Sequence, residues 1–280
     1  MKLLIINYHY IREVKTGQGI FPTTSSELIN QIDLLSKKYN FISQKQLITY
    51  TSNNSFPDKD FCLLTFDDGL KEQLRAFEIL MKKKIPAVFF VPTMPLITNK
   101  ACLVHKFHYV MENMNTDLIF DSIFKTFPNS KPKFRDGSFE RLASKKYIYD
   151  SIDWAKIKFF FNATLNKKEK HLLVNQLFHF LKVDEDSFAK KLYMDKDEVK
   201  KIAQADMLGS HCFSHEPLGE MSDFEINREL VDSKKFLSDI SGSEISIISY
   251  PFGDKKAVTK KVIEIADNSY RLGITTNRGI

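Results

Sequence analysis

Three cysteines in 280 residues, Cys62, Cys102 and Cys212, are too few and too scattered for a disulfide framework. That scarcity suits a reducing compartment. Long apolar runs are missing as well. The N-terminal one spans only Leu3 to Ile6, too short for the core of a secretory signal. No stretch approaches the roughly 20 residues that cross a bilayer. No fixed-period repeat is found, which excludes a solenoid, and no low-complexity tract. No nucleic-acid-binding motif accompanies the basic excess, so nucleic acid is not the expected partner. These absences leave a globular chain expected to be cytoplasmic, with peripheral contact as its only membrane role.

What is present fits that class. Apolar residues make up 43% and charged residues 27%, and the 24 phenylalanines predict an unusually aromatic core. The 41 Lys and Arg against 35 Asp and Glu give +6, a mild excess spread along the chain. Such a surface favours an anionic partner, a phosphate-linked sugar or an acidic membrane surface. Lys82–Lys84 and Lys167–Lys168 read as solvated helix faces.

Short apolar runs bounded by turn residues predict strands at Leu3–Asn7, Phe61–Phe66, Ala87–Val91, Met207–Ser210, Ile245–Tyr250 and Arg271–Thr275. Helical periodicity follows several of them. A helix capped by Ser25 or Ser26 runs to about Lys38, another spans Leu70 to Lys83, a third is capped by Asp223, and a fourth covers Ala257 to Ala266. Strands alternating with helices build parallel βαβ units, in a barrel or a doubly wound sheet. In either, active residues gather at the carboxyl ends of strands. From residue 99 to 192 the pattern is mainly helical, interrupted at Phe127–Gly137. This predicts a helical insertion into a domain made of residues 1–98 and 193–280. His105 and His108 within it read as helix-surface histidines, and Phe159, Phe160, Phe161, Phe178 and Phe180 as a core stripe.

Two segments carry the chemistry. In Thr65-Phe66-Asp67-Asp68-Gly69 an apolar strand runs into adjacent carboxylates. An Asp-Gly turn is one reading. A site where a cation neutralises one carboxylate and the other takes a proton is the second. In Ser210-His211-Cys212-Phe213-Ser214-His215 two imidazoles stand four apart, and they share a face if the segment is one helical turn. Read alone they are surface or capping histidines. Read together with Asp68 they make a three-ligand set with a position open for water. One carboxylate and two imidazoles suit Zn²⁺, and also Co²⁺, Ni²⁺ or Mn²⁺. Tyr250-Pro251-Phe252-Gly253 ends another strand in a turn, and Tyr8-His9-Tyr10 ends the first.

Together these segments resemble the polysaccharide deacetylase family, the NodB-homology fold of carbohydrate esterase family 4. Thr65–Gly69 matches its first motif and Ser210–His215 its second, and Leu218, Glu229 and Ser233 resemble the flanks. The likeness covers about residues 3–97 and 193–277. It implies an α/β fold, a distorted (β/α)7 barrel, with Asp68, His211 and His215 as metal ligands and Asp67 as base. It further implies that the Tyr250 backbone N–H, with Pro251 beside it, serves the oxyanion and substrate. Ser249 stands where the family often has an Arg that steadies the base. The chain reaches Ile280 without the late Leu-x-His that usually supplies the acid. In both respects the sequence is similar to the circularly permuted poly-N-acetylglucosamine deacetylase branch, in which an N-terminal Tyr-His supplies the acid, here His9.

The resemblance therefore predicts hydrolysis of the N-acetyl group of an N-acetylhexosamine-containing glycan or precursor, one that is lipid- or phosphate-linked if it is intracellular. Deformylation or O-deacetylation of a sugar uses the same residues. A catalytically inactive carbohydrate-binding barrel is the alternative from another class.

Overall fold

The computed structural model describes residues 2–14 and 20–277; Ile280 and the first residue lie outside them. The chain divides into two compact units. One contains Met1–Lys15, Pro22–Lys100 and Glu185–Ile280, and the other Thr16–Phe21 and Ala101–Asp184.

The first unit is built on seven parallel strands: β1 (Leu3–Tyr8), β2 (Asn40–Phe41), β3 (Phe61–Phe66), β4 (Val88–Val91), β5 (Leu208–Ser210), β6 (Ile247–Ser249) and β7 (Leu272–Ile274). Their order is β1-β3-β4-β5-β6-β7, with β2 paired to the start of β3. β3 is buried at every residue, as its unbroken FCLLTF run predicts for a strand covered on both faces.

Its alternate residues serve two cores. Cys62, Leu64 and Phe66 pack with Phe89, Leu208 and Ile248 against the surrounding helices, where Phe66 stacks on Phe89 at 4.6 Å. Phe61 and Leu63 join Val88, Phe90, Ile247, Leu272 and Ile274 on the other face. A flat sheet would separate β3 from β6 and β7 by two and three strands, so this second cluster requires the sheet to curl. The result is the distorted, half-closed (β/α) barrel expected, with no pairing between β1 and β7 among the described residues. Gly209 makes the curl tight: a Cβ there would lie 2.5 Å from the Phe90 ring.

Several local expectations shift by one to four residues. The first helix, Ser25–Leu35, is capped by Thr24, whose hydroxyl accepts from Glu27 N while Glu27 reaches back to the Thr24 amide. The helix Asp223–Ser241 is capped by Ser222 rather than Asp223, again with a reciprocal Glu three residues on. The segment from Leu70 opens as a 3₁₀ turn, Lys71–Gln73, before the α-helix Leu74–Lys83. The last helix begins at Lys260, capped by Thr259.

Among the described residues the regular elements of the second unit are all helices. Its core is aromatic: Phe134 meets Phe120, Phe124, Phe139 and Phe160, and Phe107 stacks on Phe161 at 4.1 Å. Phe160, Phe161 and Phe178 are buried, but Phe180 faces solvent. His105 also departs from expectation, being buried rather than on the helix surface. Its ring stands 5.9 Å from that of His108.

Candidate metal centre and catalytic site

The carboxyl ends of β1, β3, β5 and β6 converge on one site. Asp67 extends the β1–β3 ladder by one step, its N–H donating to Tyr8 O at 3.0 Å. The chain then turns through two left-handed residues, Asp68 at φ 81° and Gly69 at φ 60°. Glycine adopts that region freely, whereas aspartate does so at a cost that functional sites commonly carry. Both adjacent carboxylates are buried, and each brings an oxygen within 4.0 Å of His211 Nε2.

The histidine segment leaves β5 just as directly, with His211 N–H donating to Val91 O at 3.1 Å. It is not a helical turn. Cys212 and His215 are left-handed, at φ 62° and 60°, and this loop brings the rings to a centroid separation of 4.8 Å. Glu229, from the helix Asp223–Ser241, holds the loop: it accepts from Phe213 N at 2.9 Å, Ser214 N at 2.8 Å and Ser214 Oγ at 2.5 Å. Ser233 donates to Cys212 O at 2.9 Å. Tyr270 donates to Ser210 Oγ and shares Leu230 O, both at 2.9 Å. Glu229→Ala leaves buried N–H donors without their acceptor. The expected loss is about 1–3 kcal/mol of stability, read from urea unfolding.

Asp68, His211 and His215 each offer a ligand atom within 4.8 Å of the others. Asp68 Oδ1 lies 3.0 Å from His215 Nε2 and 3.5 Å from His211 Nε2. Ligands about 2.1 Å from one tetrahedral cation stand roughly 3.4 Å apart, which these separations bracket. His211 Nδ1 lies 2.6 Å from Ser249 O, and a carbonyl only accepts, so Nδ1 carries the proton. Nε2 is then the atom that faces a carboxylate oxygen, and in the neutral ring it presents a lone pair there. Two electron-rich atoms hold that geometry only with a proton or a cation between them. The donor set fits a divalent cation on that ground. The same arrangement sets the ring's basicity: burial lowers the His211 pKa, but Asp67, Asp68 and the Ser249 carbonyl outweigh it and raise it above the ordinary 6.5. Burial and Glu229 push the Cys212 thiol well above its usual range, so it offers no thiolate here.

Asp67 borders the cluster, with Oδ2 4.0 Å from His211 Nε2. Oδ2 accepts from Asn7 Nδ2 at 2.8 Å and Ser249 Oγ at 3.1 Å. Oδ1 is buried and has no hydrogen-bond partner among the described residues. His9 follows the last β1–β3 pair, Tyr8 with Phe66, and is therefore level with Asp67. It is exposed between the buried Tyr8 and Tyr10. Gln73, fully buried, donates to both His9 O at 2.8 Å and Asp67 O at 2.5 Å, tying the two strand ends together.

One expectation is corrected. The Tyr250 N–H is committed to Ile274 O at 3.1 Å within the β6–β7 ladder, so it cannot serve an oxyanion. The Tyr250 ring is buried, and burial pushes its hydroxyl pKa up. Pro251 has no N–H and is buried. The amide that makes no hydrogen bond in this turn, among the described residues, belongs to Phe252. Phe252 is left-handed at φ 64°, and its ring stands 5.4 Å from that of His215. Asn7 and Gln73 escaped sequence reasoning. The one signal for Asn7 was a polar residue ending an otherwise apolar strand, two positions before His9 and so on the same face.

The curled sheet, with acidic and imidazole side chains at its strand ends, is a distorted NodB-like (β/α) barrel. The family model described as Polysaccharide deacetylase matches residues 134–270, just under half of the chain, and that stretch includes His211, His215 and the Tyr250 turn. Asp67 and Asp68 lie outside that match. The "Putative polysaccharide deacetylase YxkH" of Bacillus subtilis (strain 168) is 30% identical over 94 residues, 33% of this chain and 33% of its own length. The match thus spans about a third of that relative. The Streptococcus pyogenes deacetylase PplD, solved in complex with acetate, superposes with TM-score 0.61 at 18% identity, covering 100% of this chain and 85% of that one. A de-N-acetylase from Aggregatibacter actinomycetemcomitans gives 0.55 at 14%, covering 99% and 97%. At those identities the likeness is one of fold. No helix among the described residues is long and apolar enough to cross a membrane.

Proposed function

We propose that this protein is a metal-dependent deacetylase that hydrolyses the N-acetyl group of an N-acetylhexosamine-containing glycan or glycan precursor. The observation that carries the reading is the convergence of Asp68, His211 and His215 on one point beside Asp67. Asp68, His211 and His215 hold the cation, with Zn²⁺ suiting two imidazoles and a carboxylate. When bound, a divalent cation supplies Lewis acidity and lowers the pKa of water to near neutrality.

The remaining roles fall to the chain. Asp67 is the general base, and its Oδ1 is the oxygen without a competing donor. The Phe252 N–H, in place of that of Tyr250, donates to the developing oxyanion. His9, level with Asp67 on the neighbouring strand, protonates the leaving amine. The names of the two superposing deacetylases support acetyl as the group removed, and the de-N-acetylase supports nitrogen as its linkage. The basic excess of the chain suits a substrate linked to phosphate or lipid.

The test is acetate release from a panel of N-acetylated amino sugars, free, polymeric and lipid-linked, with and without a chelator. The expected result is acetate release that the chelator abolishes and zinc restores. Formate release from formamido sugars, or acetate release only from O-acetylated ones, would redirect the assignment to those substrates. Binding of glycans with no release and no metal uptake would make this a carbohydrate-binding barrel.

A further inference from the structure

We propose that Asn7 is a positioning residue for Asp67: with Ser249 it pins one carboxylate oxygen and so leaves the other as the proton acceptor. The proposal rests on the reading of Asp67 as the base. A terminal carboxylate torsion is soft, so an Asp side chain left to itself presents either oxygen. Here Oδ2 takes two donors from two strands, Asn7 Nδ2 on β1 at 2.8 Å and Ser249 Oγ on β6 at 3.1 Å. Oδ1, equally buried, takes none among the described residues.

The Asn7 amide is itself oriented. Thr65, its direct partner in the β1–β3 register, places its hydroxyl 3.1 Å from Asn7 Oδ1, nearer than the 3.3 Å to its other acceptor, Ile6 O. The reverse orientation would set Oδ1 against the Asp67 carboxylate, acceptor facing acceptor, and is excluded when Asp67 is ionised. Thr65 is 1% exposed, so the relay from Thr65 through Asn7 to Asp67 starts from a side chain that packing holds still. Both donors on Oδ2 are neutral. They fix the carboxylate without bringing a second positive charge beside the cation site.

The variants are Asn7→Ala, Asn7→Leu and the double Asn7→Ala/Ser249→Ala, each loaded with zinc. Asn7→Ala is expected to lower kcat about ten- to a hundredfold, the scale of a misplaced catalytic group, with KM and metal content at wild-type values. Asn7→Leu, which restores bulk without a donor, is expected to be as slow. Wild-type kcat in the Leu variant would show that Asn7 only fills space and overturn the proposal. So would an effect confined to KM, since Asn7 would then be binding substrate. Crystal structures supply a readout independent of turnover. In the double variant the Asp67 carboxylate is expected to rotate or spread over several orientations, and a single carboxylate in its present place would overturn the proposal whatever the kinetics. Absence of acetate release by the wild-type protein would instead overturn the deacetylase reading, with the crystallographic arm still deciding what Asn7 does.

Discussion

Asp67→Asn is expected to cut turnover by roughly 10²–10⁴, the usual contribution of a general base, while leaving bound zinc at the wild-type amount. The reason lies in the two hydrogen bonds on one oxygen. An amide at position 67 best satisfies Asn7 and Ser249 by turning its oxygen toward them, because both donate there. Its NH₂ then occupies the place of Oδ1. A donor stands where an acceptor is required, in a side chain of nearly unchanged shape. The proposed cation ligands Asp68, His211 and His215 keep their positions. Acetate release at saturating substrate, together with metal analysis of the purified variant, checks both halves. Full activity would remove Asp67 from the mechanism, and loss of zinc would make it a ligand.

His211→Ala is expected to lose both metal and activity. Removing a ligand's hydrogen-bond partner alone weakens metal affinity roughly 10–100-fold, and removing the ligand costs more. His215→Ala is expected to behave alike, since both rings face the same Asp68 oxygen. Isothermal titration with zinc measures the affinity, and either variant binding zinc as the wild type does would dissolve the proposed centre.

The pH dependence follows from the raised pKa of His211. Zinc takes only the deprotonated ring, so proton and metal compete. Affinity is expected to fall as pH falls through that raised pKa, beginning at a higher pH than an ordinary imidazole would give. The metal-free protein shows the opposite trend. A pKa raised by folding contributes stability that is fully present below the unfolded value and lost as pH rises through the folded one. Thermal unfolding with and without zinc across pH 5.5–8.5 should therefore show the contribution of His211 reversing sign.

Strand and chemistry were legible together because both are local. A run such as Phe61–Phe66 is apolar but for Thr65, as suits a strand buried on both faces, and the residues that follow a parallel strand emerge at its carboxyl end. Adjacent carboxylates after one strand and paired imidazoles after another were therefore enough to expect a cation between them, while the choice of a barrel over a doubly wound sheet came from the family resemblance. The helix starts at Leu74 and Lys260 were legible to three or four residues and those at Ser25 and Asp223 to one or two, because Thr24 and Ser25, or Ser222 and Asp223, are all competent caps. The reciprocal Glu side chain decided the choice in each case.

The sequence by itself determined the residue types of the site, the strands that carry them and the fold class, since each is encoded in contiguous stretches. Tertiary structure alone decided how those residues are used. Asn7 and Ser249 reach Asp67 from 60 and 182 positions away, through register and curl that no local pattern specifies. The same ladder that brings β7 beside β6 consumes the Tyr250 amide, while that of Phe252 makes no hydrogen bond among the described residues. Left-handed turns at Asp68, Cys212, His215 and Phe252 depend on support from the surrounding fold, because only packing and hydrogen bonds such as those to Glu229 offset their cost.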